Sequence, residues 1–131
     1  IDPKVAMLSF STKGSGKSDD VTKVVEATAL VKEEHPELDI DGELQFDAAF
    51  SPAVARQKSP DSTVAGRSNV FIFPDIQSGN IGYKIAQRLG NFEAIGPILQ
   101  GLNAPISDLS RGSNEEDVYK LAIITAAQAL K

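Results

Sequence analysis

The segment DLSRGSNEED, residues 108–117, gathers the densest set of polar groups in the chain. Ser110 and Arg111 stand just before a segment patterned as a helix. Gly112 allows the backbone to turn, and Asp117 follows about one turn into that helix. Arginine offers a planar fork of donors that matches a phosphate or carboxylate. A helix N-terminus adds unpaired N–H groups and partial positive charge. A hydroxyl, a cationic fork, a dipole and a carboxylate in one corner suit an anionic substrate whose reaction needs a proton removed. The competing reading is a plain helix start. Ser113 and Glu116 have the spacing of a capping box, and Glu115, Glu116 and Asp117 complement the dipole in any case.

A second stretch, STKGSGKS at residues 11–18, lies between an apolar run and an amphipathic segment, in the order of a nucleotide-binding P-loop. Gly16, Lys17 and Ser18 fit the end of the pattern G-x-x-x-x-G-K-[ST]. Its first glycine, which permits the tight turn out of the strand, is replaced by Ser11. No acidic strand end suited to Mg²⁺ follows, Phe73–Asp75 being a poor match. NTPase chemistry is therefore not expected. Two readings stay open: a solvated strand-to-helix turn, or a turn whose N–H groups, with Lys13 or Lys17, meet an anion. SGNIGYK at residues 78–84 is a third polar entry to a helix. Its Asn80, Tyr83 and Lys84 either face a cleft or belong to an ordinary turn and cap.

The elements that must position these groups follow from periodicity. Val5–Ser11 reads as a buried strand, and 18–34 as a helix carrying Val21, Val24, Val25, Leu30 and Val31, ended by Pro36. LDIDGELQF alternates as a strand with Leu38, Ile40, Gly42, Leu44 and Phe46 on one face. Asp41 and Glu43 then fall on a solvated face rather than forming a metal site. Residues 47–60 read as helical on both sides of Pro52, and NVFIFPD as a short strand closed by Pro74. A helix follows in 78–91, then an apolar stretch broken by Gly96 and Pro97, an extended passage at 104–110, and a terminal helix with Val118, Leu121, Ala122 and Thr125 on one stripe. Alternating strands and helices argue for an α/β fold.

Composition narrows the function classes. The net charge of −5 disfavours nucleic acid, which needs a basic stripe. No apolar run is long enough to span a bilayer, so no membrane partner is expected. The absence of cysteine excludes disulfides, thiolate ligands and a cysteine nucleophile within these residues, and is compatible with a reducing cytoplasm. His35, the single histidine, sits in a charged helix end, so neither a Ser-His-Asp triad nor a two-histidine metal site can form here. The chain begins at Ile1 inside an element, which leads to the expectation of a fragment of a longer protein.

FSTKGS, IDGELQFDAAF, VAGRSNVFIFPDIQSGNIGYKIAQRL, AIGPILQGLNAPISDLSRG and EED, taken together, closely resemble the phosphate acetyltransferase (phosphotransacetylase) family. The resemblance covers essentially the whole chain and corresponds to the C-terminal part of family members. Departures are Gly16, where many relatives have Ala, and Ser113, where some have Cys. The resemblance implies a three-layer α/β/α fold of the isocitrate/isopropylmalate dehydrogenase type, a two-domain enzyme with a cleft, and a homodimer. Residues 1–101 would be most of the second domain, and 102–131 a return segment and helix belonging to the other.

The implied reaction is reversible acetyl transfer between acetyl phosphate and coenzyme A, releasing or taking up inorganic phosphate, with no metal and no acyl-enzyme. Coenzyme A is a substrate, and no bound cofactor is expected. By matching position, Asp117 is the implied base for the thiol, Ser110 helps hold the thiol, and Arg111 binds acetyl phosphate. Lys13, Gly14, Ser15, Asn80, Tyr83 and Lys84 are further expected substrate contacts. Alternatives are a phosphotransbutyrylase, or a non-catalytic domain of a malic enzyme that senses coenzyme A esters. The retained Ser110, Arg111 and Asp117 argue against the latter.

Overall fold

A computed structural model describes residues 1–130. By its own contacts the chain forms two compact units, Ile1–Gly82 and a second beginning at Tyr83.

The first unit is built on three parallel strands, β1 (Val5–Leu8), β2 (Ile40–Leu44) and β3 (Val70–Ile72), in the order β2-β1-β3. Helix α1 (Asp19–Glu34) crosses from β1 to β2. Ser18 caps it, its Oγ accepting the Val21 N–H at 3.2 Å. Val21, Val24 and Thr28 form its buried stripe, and it stops before Pro36, which disfavours helical backbone in the preceding residue. Helices α2 (Phe46–Phe50) and α3 (Pro52–Lys58) flank Ser51, with Pro52 in the first turn of α3, where its missing N–H costs nothing. Ala6, Leu8, Leu44 and Ala49 make the central core, with Ala65 and Phe71 packed against it. This is the expected α/β arrangement, and its sheet is parallel.

The expectation of a solvated face on β2 fails. Asp41 and Glu43 are buried, at 6% and 4% exposure, so β2 has no solvated face. Ile40 and Leu44 are buried as expected, but the residues between them lie under the turn that follows β1 and the loop that follows α3. A strand of a covered parallel sheet is enclosed on both faces. Here one face is filled by carboxylates with partners rather than by apolar side chains.

The second unit contains the greater part of α4 (Ile76–Leu89) and α5 (Glu115–Gln128). The passage between them has no helix or extended strand, only an antiparallel bridge between Ile98 and Ser107. Of the apolar stripe expected on α5, Leu121 is buried, whereas Val118 and Ala122 remain exposed. The cap of α5 is displaced by one residue from the expected Ser113. Asn114 is the N-cap and Asp117 completes the capping box. The reason is the preceding turn, closed by the Ser113 N–H donating to the Ser110 carbonyl at 3.0 Å, which keeps Ser113 outside the helix. Among the described residues no helix is long and apolar enough to cross a membrane.

Candidate functional site

The turn after β1 is an anion-binding shape already filled by the chain itself. Lys13 and Gly14 both have positive φ, 48° and 84°. The Gly14 N–H donates to Glu43 Oε1 at 2.6 Å, and the Ser11 hydroxyl donates to the same oxygen at 2.9 Å. The Thr12 N–H is taken by Ser15 Oγ and the Gly16 N–H by Ser11 Oγ, each at 2.9 Å. Lys13 Nζ donates to Asp41 Oδ1 at 2.6 Å and to the Gly42 carbonyl at 2.9 Å. Lys32 and Ser62 complete the shell of Asp41. Burial opposes the charge on Asp41, but the hydrogen bonds from Lys13, Lys32 and Ser62 outweigh it and hold the carboxyl far below the usual carboxylate range. Lys13, Gly14 and Ser15 thus have partners within their own unit, Asp41 for Lys13, Glu43 for Gly14 and the Thr12 N–H for Ser15, and the sequence missed the two carboxylates.

The second unit carries an open cavity of about 130 Å³ lined by Tyr83, Lys84, Arg88, Ser110, Gly112 and Asp117 among others, the first five of them exposed. Helix α4 supplies Tyr83, Lys84, Gln87 and Arg88 from one face, the spacing that brings side chains three and four apart together. The Lys84 ammonium lies 5.3 Å from the centre of the Tyr83 ring. The turn before α5 supplies Ser110, whose Oγ accepts the Gly112 N–H at 3.3 Å. Arg88 Nη2 reaches within 3.9 Å of where a Cβ on Gly112 would sit.

Asp117 is fixed by its cap. Its Oδ2 accepts the Asn114 N–H at 2.9 Å, while its own N–H donates to Asn114 Oδ1 at 3.0 Å. One turn on, Lys120 bonds Glu116 at 2.6 Å and also Glu93, tying the passage that carries Ala94 and Gly96 of the cavity wall to α5. Those two carboxylates, Glu116 first, raise the Lys120 pKa above its ordinary value.

Four expected site residues, Ser110, Asp117, Tyr83 and Lys84, therefore line one cavity. Arg111 is exposed, beside Ser110 in the chain but not among the lining residues. Lys13, Gly14, Ser15 and Asn80 belong to the first unit. Arg88 and Gln87 were missed. Arg88 stands in the last turn of α4, where a cation is first read as a partner of the helix dipole. Its spacing of four from Lys84 was the available signal. Two cations (Lys84 and Arg88), three hydroxyls (Tyr83, Ser110 and Ser113) and one carboxylate (Asp117) around a small cavity can hold an anion and accept a proton. Among the described residues no group of three or more His, Asp or Glu could hold a metal ion.

Comparison with known proteins identifies the family. The model described as Phosphate acetyl/butaryl transferase matches residues 1–126. The chain belongs to this family. It is 69% identical over 130 residues to the phosphate acetyltransferase of Bacillus subtilis (strain 168), which covers 99% of this chain and 40% of the relative. It is 65% identical over 136 residues to that of Staphylococcus epidermidis (strain ATCC 12228 / FDA PCI 1200), covering 100% of the chain and 41% of the relative. Among solved structures, a phosphotransacetylase from Streptococcus pyogenes superposes with a TM-score of 0.94 at 72% identity, covering 99% of this chain and 40% of that one. The chain thus spans about 40% of the length of the relatives it matches.

Proposed function

We propose that this chain is the C-terminal portion of a phosphate acetyltransferase, which moves an acetyl group reversibly between acetyl phosphate and coenzyme A. The observation that carries the reading is the cavity of the second unit, where Ser110, Asp117, Tyr83 and Lys84 meet in a chain 69% identical to a phosphate acetyltransferase. In the proposed step Asp117 takes the proton of the coenzyme A thiol. The thiolate attacks the acetyl carbonyl carbon, a C–S bond forms, the bond from that carbon to the oxygen bridging to phosphorus breaks, and inorganic phosphate leaves with that oxygen. A free thiol with a pKa of about 8.5 is only slightly ionised at neutral pH, so a positioned base raises the reactive fraction. Ser110 holds the thiol. Arg111, from the adjoining position, binds acetyl phosphate and stabilises the charge that develops on its oxygens. Lys84 and Arg88 add positive charge for the anionic substrates.

The same reading includes the three-layer fold of the isocitrate/isopropylmalate dehydrogenase type, with residues 1–101 and 102–131 assigned to different domains of the full-length enzyme. It also includes a cytoplasmic homodimer. Acetyl is preferred to butyryl because the two relatives above are named phosphate acetyltransferases. The test is acetyl-CoA formation from acetyl phosphate and coenzyme A, by the full-length protein carrying this segment and by the 131-residue chain alone. The full-length protein should turn over, with acetyl phosphate preferred to butyryl phosphate. The chain alone should show little or no turnover. Inactivity of the full-length protein would reject the activity, and full turnover by the chain alone would reject the need for the remainder.

A further inference from the structure

We propose that Asn114 is a positioning residue for Asp117, its capping bond deciding which carboxylate oxygen is left to take the thiol proton. The inference rests on the reading of Asp117 as the base. Asn114 has extended backbone, with φ −104° and ψ −178°, and directly follows the turn from Ser110 to Ser113. Its side-chain Oδ1 accepts the Asp117 N–H at 3.0 Å, and its own N–H donates to Asp117 Oδ2 at 2.9 Å. These reciprocal bonds close a ring between the N-cap and the third helical residue.

The ring does two things. It satisfies two backbone donors at the helix start. It also fixes the carboxylate of a residue that lines the cavity, because tethering Oδ2 sets the orientation of the whole group. Among the described residues Oδ1 has no hydrogen-bond donor, so it is the oxygen available to the thiol. Without the Asn114 side chain the backbone at the cap is free to leave its extended conformation. The N–H then moves off Oδ2, and the carboxylate samples other rotamers. A proton acceptor works only within hydrogen-bond reach of its proton, and a displacement of about 1 Å can cost about a hundredfold in rate. Serine also carries a short side-chain oxygen able to cap, whereas alanine carries none.

The experiment uses the full-length enzyme with Asn114→Ala, Asn114→Ser and Asp117→Asn, measuring kcat and the KM for acetyl phosphate and for coenzyme A. Asn114→Ala should lower kcat at least about tenfold with both KM values within about twofold, and Asn114→Ser should recover most of the loss. A purely structural cap would not give this split between kcat and KM. Wild-type kcat in Asn114→Ala, or an equal loss in Asn114→Ser, overturns the inference. If circular dichroism shows that Asn114→Ala does not fold, Asn114→Gly reads the same loss, since glycine is nearly as well tolerated at an N-cap but offers no acceptor. Normal turnover by Asp117→Asn overturns the role of Asp117 as base, whatever the Asn114 variants do.

Discussion

Ser11 and Glu43 are joined inside the first unit, the serine hydroxyl donating to the carboxylate at 2.9 Å with both residues buried. The serine stands where a P-loop has its first glycine, so this bond explains why the motif is incomplete. Ser11→Gly would restore the pattern on paper but leave a buried carboxylate short of one donor. The expected result is a loss of about 1–3 kcal/mol in stability and no binding of Mg-ATP. Thermal melts with and without Mg-ATP check this; an upward shift with nucleotide would refute it.

Gly42 and Gly79 should respond to alanine with opposite signs. A Cβ on Gly42 would lie 2.6 Å from Met7 Cβ and 2.8 Å from Thr28 Oγ1, so Gly42→Ala should destabilise by about 1–3 kcal/mol. A Cβ on Gly79 in α4 meets nothing nearer than Phe73 Cβ at 3.5 Å, an ordinary contact. Gly79→Ala should stabilise by about 0.5–1 kcal/mol through helix propensity. Urea denaturation of both variants would show the pair, and a shift of the same sign in both would contradict the packing described.

Asp41 should make the first unit sensitive to acid. Its carboxyl titrates lower in the folded chain than its ordinary value of 3.8. The contribution it makes is therefore complete above that value and is lost as pH falls through it toward the folded pKa. Asp41→Asn should be less stable than wild type at neutral pH, and its stability should fall less steeply below about pH 4. Parallel curves of melting temperature against pH for the two proteins would remove Asp41 as the cause.

Arg111→Gln and Asp117→Ala in the full-length enzyme should each reduce acetyl transfer by about a hundredfold or more, the scale of losing a charge-stabilising donor or a general base. Steady-state turnover in the direction of acetyl-CoA formation measures both. Near-wild-type kcat/KM in either variant would withdraw the role proposed for that residue.

What the sequence made legible was local. The helix ended by Pro36, the helical stretches on both sides of Pro52 and the short strand before Pro74 depend on neighbours within a few residues, and all stand in the structure. The cap of α5 slipped by one because Ser113 with Glu116 and Asn114 with Asp117 fit the same spacing. Only the turn at Ser110–Ser113 separates them, and its hydrogen bond is not written in residue types. The acids of β2 were misplaced because their partners are distant in sequence, 28 residues for Lys13 to Asp41 and 32 for Ser11 to Glu43. Alternation reports which side of a strand is apolar, not whether the other side has been covered with donors. Arg88 escaped for a related reason: what marks it out is the cavity wall it shares with Ser110, which lies beyond the end of its own helix.

The carboxylate of Glu43 sits in the turn that would otherwise attract a dissolved anion, and it is attached to the neighbouring strand β2. A tethered ligand has an effective concentration set by geometry rather than by the solution around it. Phosphate, acetyl phosphate or nucleotide would have to displace a competitor that never diffuses away. An anion reaches the Gly14 N–H only when the Glu43 carboxylate gives that donor up, so any binding at this turn is coupled to a movement of β2's own side chain.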